Sequence, residues 1–144
     1  MTNYIFKVFH FTLFSFLLLL FNVDAQNSWT RKADLPAGRR NVATGFSIGT
    51  KGYIGLGFIE NAAAGVESPT YKDFWEWDQT TNVWSQKADF GGHSRALATG
   101  FSIGTKGYIG TGYDVGVAFD DFWEWDQASN IWKQKANFGG GKRL

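Results

Sequence analysis

The stretch Thr44-Gly-Phe-Ser-Ile-Gly-Thr-Lys-Gly-Tyr-Ile-Gly55 decides the fold, because it recurs letter for letter at Thr99 to Gly110. A second stretch, Asp73-Phe-Trp-Glu-Trp-Asp-Gln79, recurs unchanged at Asp121 to Gln127. Repeats of this kind indicate copies of one supersecondary unit, which bury their apolar faces by stacking against each other. The sequence of 144 residues therefore predicts a repeat protein.

The spacing of the repeats shows where they differ. Trp29 and Trp84 are 55 residues apart, whereas Trp84 and Trp132 are 48 residues apart. The difference of seven residues lies between Gly55 and Asp73. The first repeat therefore carries an insertion at that place.

Each repeat is predicted to form four short antiparallel strands. In the first repeat, alternating side chains and Gly, Asp or Asn turns place them at Val42 to Ile48, Tyr53 to Gly57, Phe74 to Asp78 and Val83 to Lys87. Small residues in the first two strands and Trp in the last two suit a propeller blade, whose inner strands are crowded near the axis. We expect the tryptophans to fill the gap between blades rather than to stack on sugars. They are Trp75, Trp77, Trp84, Trp123, Trp125 and Trp132.

The order of these motifs resembles the kelch repeat of secreted bacterial proteins, as found in the central domain of galactose oxidase. Arg40 precedes an apolar strand, and Lys51-Gly-Tyr-Ile-Gly55, Phe74-Trp-Glu-Trp-Asp78 and Asn82-Val-Trp84 follow in the order of that repeat. The resemblance covers residues 28–144 and implies an all-β, kelch-type β-propeller. The glycine pair of the family is split here, and its implied structural members are Gly55, Gly57, Gly110 and Gly112.

The repeat boundaries predict the organisation of the chain. Residues 26–40 are a leading outer strand, beginning at Trp29 to Lys32, and a linker. Residues 41–92 and 93–140 are two kelch blades, and residues 141–144 begin a third repeat.

Residues 1–25 are predicted to be a secretory signal peptide. Lys7 precedes an apolar run of 11 residues, and Val23 and Ala25 supply the small side chains required before a cleavage point after Ala25. We therefore expect a mature protein that is secreted, or held at the cell surface or in the periplasm, with no membrane span after cleavage.

Two blades are too few for a closed ring. Arg40, Arg95 and Arg143 follow the same two spacings, so that Arg143-Leu144 opens a further repeat. A ring of six or seven blades needs roughly 290 to 340 residues. We expect the chain to be the N-terminal part of such a protein; the alternative is that several copies assemble one ring and supply each other's blades in trans.

Charge and composition exclude several function classes. The chain has 14 basic and 13 acidic side chains, which are interspersed, so no nucleic-acid partner is expected. The absence of Cys excludes disulfides, Cys-ligated zinc and a thiol nucleophile. Gly45 to Gly49 and Gly100 to Gly104 match the G-x-S-x-G motif of hydrolases, but each lies in a predicted strand that is followed by another strand, whereas that motif needs a helix.

No metal ion or cofactor is predicted. Asp114, Asp120 and Asp121 could offer oxygen ligands to calcium, but they lack the alternate spacing of a calcium loop. We expect them to be ordinary turn residues.

Function is expected at the end of the blades where the second-to-third and fourth-to-first strand connections emerge together. These connections differ between the repeats, whereas the turns between the first and second strands, at the other end, are identical. Because binding residues concentrate in loops on a rigid frame, we expect this end to recognise a glycan or an extracellular protein. The candidate binding residues are Arg40, Glu60, Asn61, His93, Arg95, Tyr113 and Asp114.

Alternatives remain open for the arginines and for the activity. In kelch-like propellers the Arg that matches Arg40 and Arg95 bonds backbone carbonyls and acids, and this structural role competes with binding of a carboxylate, sulfate or sugar acid. The competing function is a propeller enzyme acting on sugars, similar to mutarotases or oxidases, with catalytic residues partly in further blades. No catalytic residue is assigned in this chain, and a third possibility is a structural spacer.

Overall fold

The computed structural model describes residues 28–59 and 68–143. The predicted signal peptide and the candidate residues Glu60 and Asn61 lie outside these ranges. The described residues form ten β-strands and no helix, and they therefore contain no helix that could cross a membrane. The prediction of an all-β chain is confirmed for this part.

The first sheet has four antiparallel strands in sequential order. They are β1 (Thr44–Ile48), β2 (Lys51–Gly55), β3 (Phe74–Asp78) and β4 (Val83–Lys87). Ile48 pairs with Lys51 across a two-residue turn, and Lys51 pairs with Asp78 on the next strand. The repeated stretches thus form the three paired strands at one side of the sheet.

The second sheet repeats this arrangement and adds a small hairpin. Its strands are β5 (Thr99–Ile103), β6 (Lys106–Gly110), β9 (Phe122–Asp126) and β10 (Ile131–Gln134), paired in that order. The hairpin, β7 (Tyr113–Asp114) with β8 (Val117–Ala118), lies in the connection between β6 and β9. The sequence analysis did not predict this hairpin.

The first two strands of the first sheet are displaced from their predicted bounds. The predicted strand from Val42 begins at Thr44, and the one predicted at Tyr53 to Gly57 ends at Gly55. Val42 and Leu56 have φ of 46° and 60°, which is left-handed backbone that cannot continue a β-ladder. These residues therefore turn the chain at both ends of the hairpin.

The leading outer strand predicted at Trp29 to Lys32 is not formed. Residues 28–35 do not form a β-strand, and no described strand pairs with them. We call residues 31–40 the leading segment. In it, the Ala33 N–H donates to Asn82 Oδ1 at 3.0 Å, and Trp84 Nε1 donates to the Ala33 carbonyl at 2.9 Å. The leading segment therefore binds the outer strands of the first sheet by single hydrogen bonds.

The core lies between the two sheets. The Trp125 side chain is fully buried there, with ring centroids 5.0 Å from Tyr53 and 5.1 Å from Phe74. Near the β1 and β5 strands, the Thr44 hydroxyl donates to the Ala98 carbonyl at 2.8 Å. Bulky rings on the outer strands and short side chains on the inner ones allow the sheets to approach closely along β1 and β5.

Gly112 occupies a position that other residues cannot adopt without strain. Its φ is +99°, and a Cβ built there would lie 2.8 Å from the Ala96 carbonyl oxygen. Gly57 holds the same place in the first sheet, with φ +88° and a Cβ that would lie 2.5 Å from the Asn41 carbonyl oxygen. The second glycine of each split pair thus permits a close crossing of two backbone segments.

We expect Gly112→Ala to lower the free energy of unfolding by about 2–4 kcal/mol, because backbone strain and a steric clash add together. Gly116→Ala is the matched control, since Gly116 has φ +80° but no atom within 4 Å of the added Cβ. It should cost about 1 kcal/mol, from strain alone. Urea denaturation followed by Trp fluorescence measures both losses, and equal losses would contradict the steric argument.

Candidate functional site

The loop connections meet at one end of the two sheets. The Thr70 hydroxyl, between β2 and β3, donates to Asp114 Oδ1 at 2.8 Å and lies 2.9 Å from the hydroxyl of Ser94. Ser94 belongs to the connection between β4 and β5, whereas Asp114 belongs to the β7–β8 hairpin. One threonine therefore ties together three connections from two repeats.

A shallow pocket of about 260 Å³ opens beside this junction and is lined by His93, Asp114, Val115, Val117 and Phe119. The exposed His93 ring stacks on the Phe119 ring with centroids 6.0 Å apart and an angle of 15° between their planes. Two candidate residues, His93 and Asp114, are thus brought together. The pocket offers an aromatic surface, a carboxylate and an imidazole to a ligand.

The β7–β8 hairpin is held in shape from within. The Gly116 N–H donates to the Tyr113 hydroxyl oxygen at 2.8 Å, which folds the Tyr113 side chain over its own turn. The Tyr113 backbone exchanges two hydrogen bonds of 2.9 Å with Ala96. Tyr113 therefore supports the wall of the pocket, and the residue as a whole is 36% exposed.

Arg95 lies beneath the pocket rather than in it. Its side chain is fully buried and binds both carboxylate oxygens of Asp121, with Nη2 donating to Oδ2 at 2.9 Å. Nη1 also donates to the Thr111 carbonyl at 2.9 Å, and Nε donates to the His93 carbonyl at 3.1 Å. Because no part of the guanidinium reaches solvent, Arg95 contacts the polypeptide and leaves no surface for a ligand.

The Arg95 guanidinium also supports the aromatic wall of the pocket. Its central carbon lies 3.9 Å from the centroid of the Phe119 ring, which also stacks on the His93 ring. A cation over an aromatic ring is attracted by the negative face of the ring. Arg95 thus fixes the position of Phe119 from inside the protein.

The pKa of the Asp121 carboxyl reflects this environment. Burial alone would raise this pKa, but hydrogen bonds from Arg95 and from Trp123 Nε1, at 2.8 Å, lower it below its ordinary value. Asp121 therefore stays ionised and keeps the arginine in place at neutral pH.

Arg40 repeats the arrangement of Arg95 in the first sheet. Nη1 and Nη2 donate to the two carboxylate oxygens of Asp73 at 2.6 and 2.8 Å, and Nη1 also donates to the Leu56 carbonyl at 3.1 Å. The Nε of Arg40 is buried and has no hydrogen-bond partner among the described residues. Arg40 borders a separate cleft of about 320 Å³ with Arg39, Asn41 and Ile59.

The structure thus separates the candidate residues into groups. His93 and Asp114 line one pocket, Tyr113 supports its hairpin, Arg95 lies beneath it, and Arg40 borders a different cleft. Phe119, Thr70 and Ser94 were missed by the sequence analysis. Thr70 and Ser94 stand opposite unlike residues in the other repeat, whereas Phe119 has an aromatic counterpart in Tyr71, whose ring centroid lies 5.1 Å from the central carbon of the Arg40 guanidinium. Only the glycine between β-branched residues in Val115-Gly-Val117 signalled a hairpin at this place.

Within residues 28–59 and 68–143, no cluster of three or more His, Asp or Glu side chains could hold a metal ion. The carboxylates of Asp73 and Asp121 are used by arginines and by the neighbouring indoles.

No protein-family model matches the chain, and no curated protein matches it. Among solved structures, that of YjhT is similar, with a TM-score of 0.69 and 16% sequence identity. The similarity covers 81% of this chain but 43% of that chain, so this chain spans less than half the length of YjhT. At this level of identity the likeness concerns the fold alone.

Proposed function

We propose that this chain forms two kelch-type blades of a β-propeller in an exported protein and that the loop end of the blades binds a glycan or an extracellular protein. The observation that carries the proposal is the contrast between the two ends of the sheets. The β1–β2 and β5–β6 hairpins are identical in sequence and register, whereas the connections that meet at Thr70 differ. Loops that vary in length and composition at one end of a constant frame are typical of a recognition surface.

The pocket at His93, Asp114 and Phe119 favours a sugar as the ligand. A sugar ring presents C–H groups on its faces, which pack against an exposed ring such as that of His93, and hydroxyls at its rim. The Asp114 carboxylate accepts hydrogen bonds from such hydroxyls, and the exposed His93 imidazole can donate or accept. A small number of polar groups beside an apolar wall is the usual composition of a ligand site.

The proposal is tested by screening the mature protein on a glycan array and titrating the best ligand by calorimetry. We expect His93→Ala to weaken binding by about tenfold or more, which corresponds to about 1.4 kcal/mol. Asp114→Asn should also weaken it, because it removes the charge while keeping an oxygen for the Thr70 hydroxyl. The melting temperature of both variants should stay close to that of the unmodified chain.

Thr105→Ala is the control, because exposed Thr105 lies in the β5–β6 hairpin turn at the opposite end of the second sheet. It should bind as the unmodified chain does. Equal binding by all variants would contradict the proposed loop end. A sugar that is recovered chemically altered after incubation would favour the alternative of an enzyme acting on sugars.

A further inference from the structure

A second pocket, of about 440 Å³, lies beside the pocket at His93 and Asp114. We call the second one the lysine pocket, after Lys72 in its wall, and the first one the hairpin pocket, after the β7–β8 hairpin. His93 lines both of them. The two pockets are therefore neighbours on one surface, with His93 at their common border.

The walls of the lysine pocket come from both sheets. Lys72 precedes β3, and residues 91–93 lie in the connection between β4 and β5. Trp123 and Gln134, which pair across β9 and β10, belong to the opposite wall. Because side chains alternate along a strand, they share the face of the second sheet that carries buried Trp125 and packs on the first sheet. The pocket thus lies between two described sheets.

The lysine pocket offers hydrogen-bond donors that the protein does not use. The exposed Lys72 side chain makes no hydrogen bond or ion pair with a described residue. The backbone N–H groups of Gly91 and Gly92 and the side-chain amide of Gln134 also have no partner in the described part of the chain. The Asp121 carboxylate in this pocket is bound by an arginine and an indole. The free polar groups of the lysine pocket are therefore mainly donors.

Gly91 and Gly92 bring backbone rather than side chains to this wall. A Cβ at Gly91 would lie 2.5 Å from Trp123 Cζ3, and a Cβ at Gly92 would lie 3.1 Å from Asp121 Oδ2. Neither glycine has a positive φ, so close packing and not backbone conformation excludes a side chain. Glycine at such a place also lets a ligand approach the backbone N–H groups closely.

The hairpin pocket offers the opposite chemistry. Asp114 Oδ1 accepts from the Thr70 hydroxyl, and Oδ2 has no hydrogen bond with a described residue. An ionised carboxylate can only accept hydrogen bonds, whereas an ammonium can only donate them. A ligand that lies across His93 therefore meets an acceptor on one side and donors on the other. The hairpin pocket alone, at about 260 Å³, is smaller than the range of about 300–1,000 Å³ usual for ligand sites.

We propose that this surface binds a sugar chain of at least two units, which lies across His93 with one unit in each pocket. The inference rests on the proposed glycan binding and adds the length and the orientation of the ligand. Hydroxyls of the unit in the hairpin pocket donate to Asp114. Oxygens of the unit in the lysine pocket accept from Lys72 and from the Gly91 and Gly92 N–H groups. Because a sugar hydroxyl both donates and accepts, an uncharged sugar chain satisfies the two pockets.

The test compares glucose, galactose and N-acetylglucosamine with their β1,4-linked dimers by calorimetry on the mature protein. For the sugar that binds, we expect the dimer to bind at least about tenfold more tightly than the monosaccharide, because only the dimer reaches both pockets. Amide NMR spectra give a second readout. The Gly91 and Gly92 N–H signals should shift with the dimer and stay in place with the monosaccharide.

Lys72→Ala should weaken binding of the dimer by about tenfold, because it removes a charged hydrogen-bond donor. Binding of the monosaccharide should not change. Lys133→Ala is the matched control, since Lys133 is also exposed and precedes Gln134 on β10, but pairs with Glu124 on the opposite face of the sheet. It removes the same charge and should leave both affinities unchanged. Both variants should keep the melting temperature of the unmodified chain.

Equal affinities for the monosaccharide and the dimer would overturn the two-pocket ligand and leave glycan binding in place. Equal effects of the two lysine substitutions, or Gly91 and Gly92 signals that do not move with the bound dimer, would do the same. A chain that binds no sugar, in these titrations or on the array, would instead overturn the proposed function, and this inference with it.

Discussion

Arg95→Met is expected to lower the free energy of unfolding by about 3–5 kcal/mol, because it leaves a partly buried carboxylate without its partner. Arg95 is fully buried and holds Asp121, Thr111 and the His93 carbonyl together. Methionine retains much of the apolar volume but supplies none of these donors. Since a domain is stable by about 5–15 kcal/mol, this loss is a large part of the total.

The measurement is urea denaturation followed by Trp fluorescence, with Arg143→Met as the matched control. Arg143 has the same place in the repeat, but it is exposed, and its guanidinium has one hydrogen-bond acceptor among the described residues, the Gly140 carbonyl at 3.5 Å. Its replacement should change stability by less than about 0.5 kcal/mol. Similar losses in the two variants would show that burial of the ion pair does not set the cost.

Trp125→Ala is expected to destabilise the chain by about 3–5 kcal/mol, because it leaves a cavity between the two sheets. The indole is fully buried and contacts Tyr53, Phe74 and Trp132 with centroid distances of 5.0, 5.1 and 6.3 Å. The surrounding rings are carried by two different sheets, so they cannot close the cavity by a small shift of one sheet.

Trp77→Ala is the control for Trp125→Ala, since Trp77 is the same residue of the first repeat. Trp77 is half-buried and its ring lies 6.5 Å from Trp84, without a second sheet over it. We expect Trp77→Ala to lower the free energy of unfolding by about 1–2 kcal/mol, because Trp77 buries less apolar surface than Trp125 does. Thermal unfolding by circular dichroism ranks the two variants, and a larger loss for Trp77→Ala would contradict the assigned core.

The strands were predictable where the sequence pattern is strict. Phe74–Asp78 and Val83–Lys87 form β3 and β4 with their predicted bounds, because Trp and charged residues alternate there between Asp and Asn turns. The bounds of β1 and β2 were wrong by two residues at the ends where Val42 and Leu56 adopt positive φ. No rule of residue preference signals left-handed backbone at a valine or a leucine, and the surrounding backbone imposes it.

The candidate site was predictable only in part. The sequence named His93 and Asp114, which line one pocket, but it also named Arg95, which lies inside the protein. Phe119 completes the pocket and was not named, although Tyr71 is its aromatic counterpart two residues before Asp73 in the first repeat. Its position depends on the guanidinium 3.9 Å from its ring centroid, a contact between residues that are distant in sequence.

The sequence by itself determined the all-β class, the four strands of each repeat and the places where the repeats differ, because these follow from local alternation and from copied letters. Only the tertiary structure decided which of two equivalent residues in the repeats is buried. Ile48 and Ile103 stand in identical pentapeptides, yet one is 6% and the other 64% exposed. Burial depends on the sheet that covers a residue, and the residue's own neighbours in the sequence do not specify that cover.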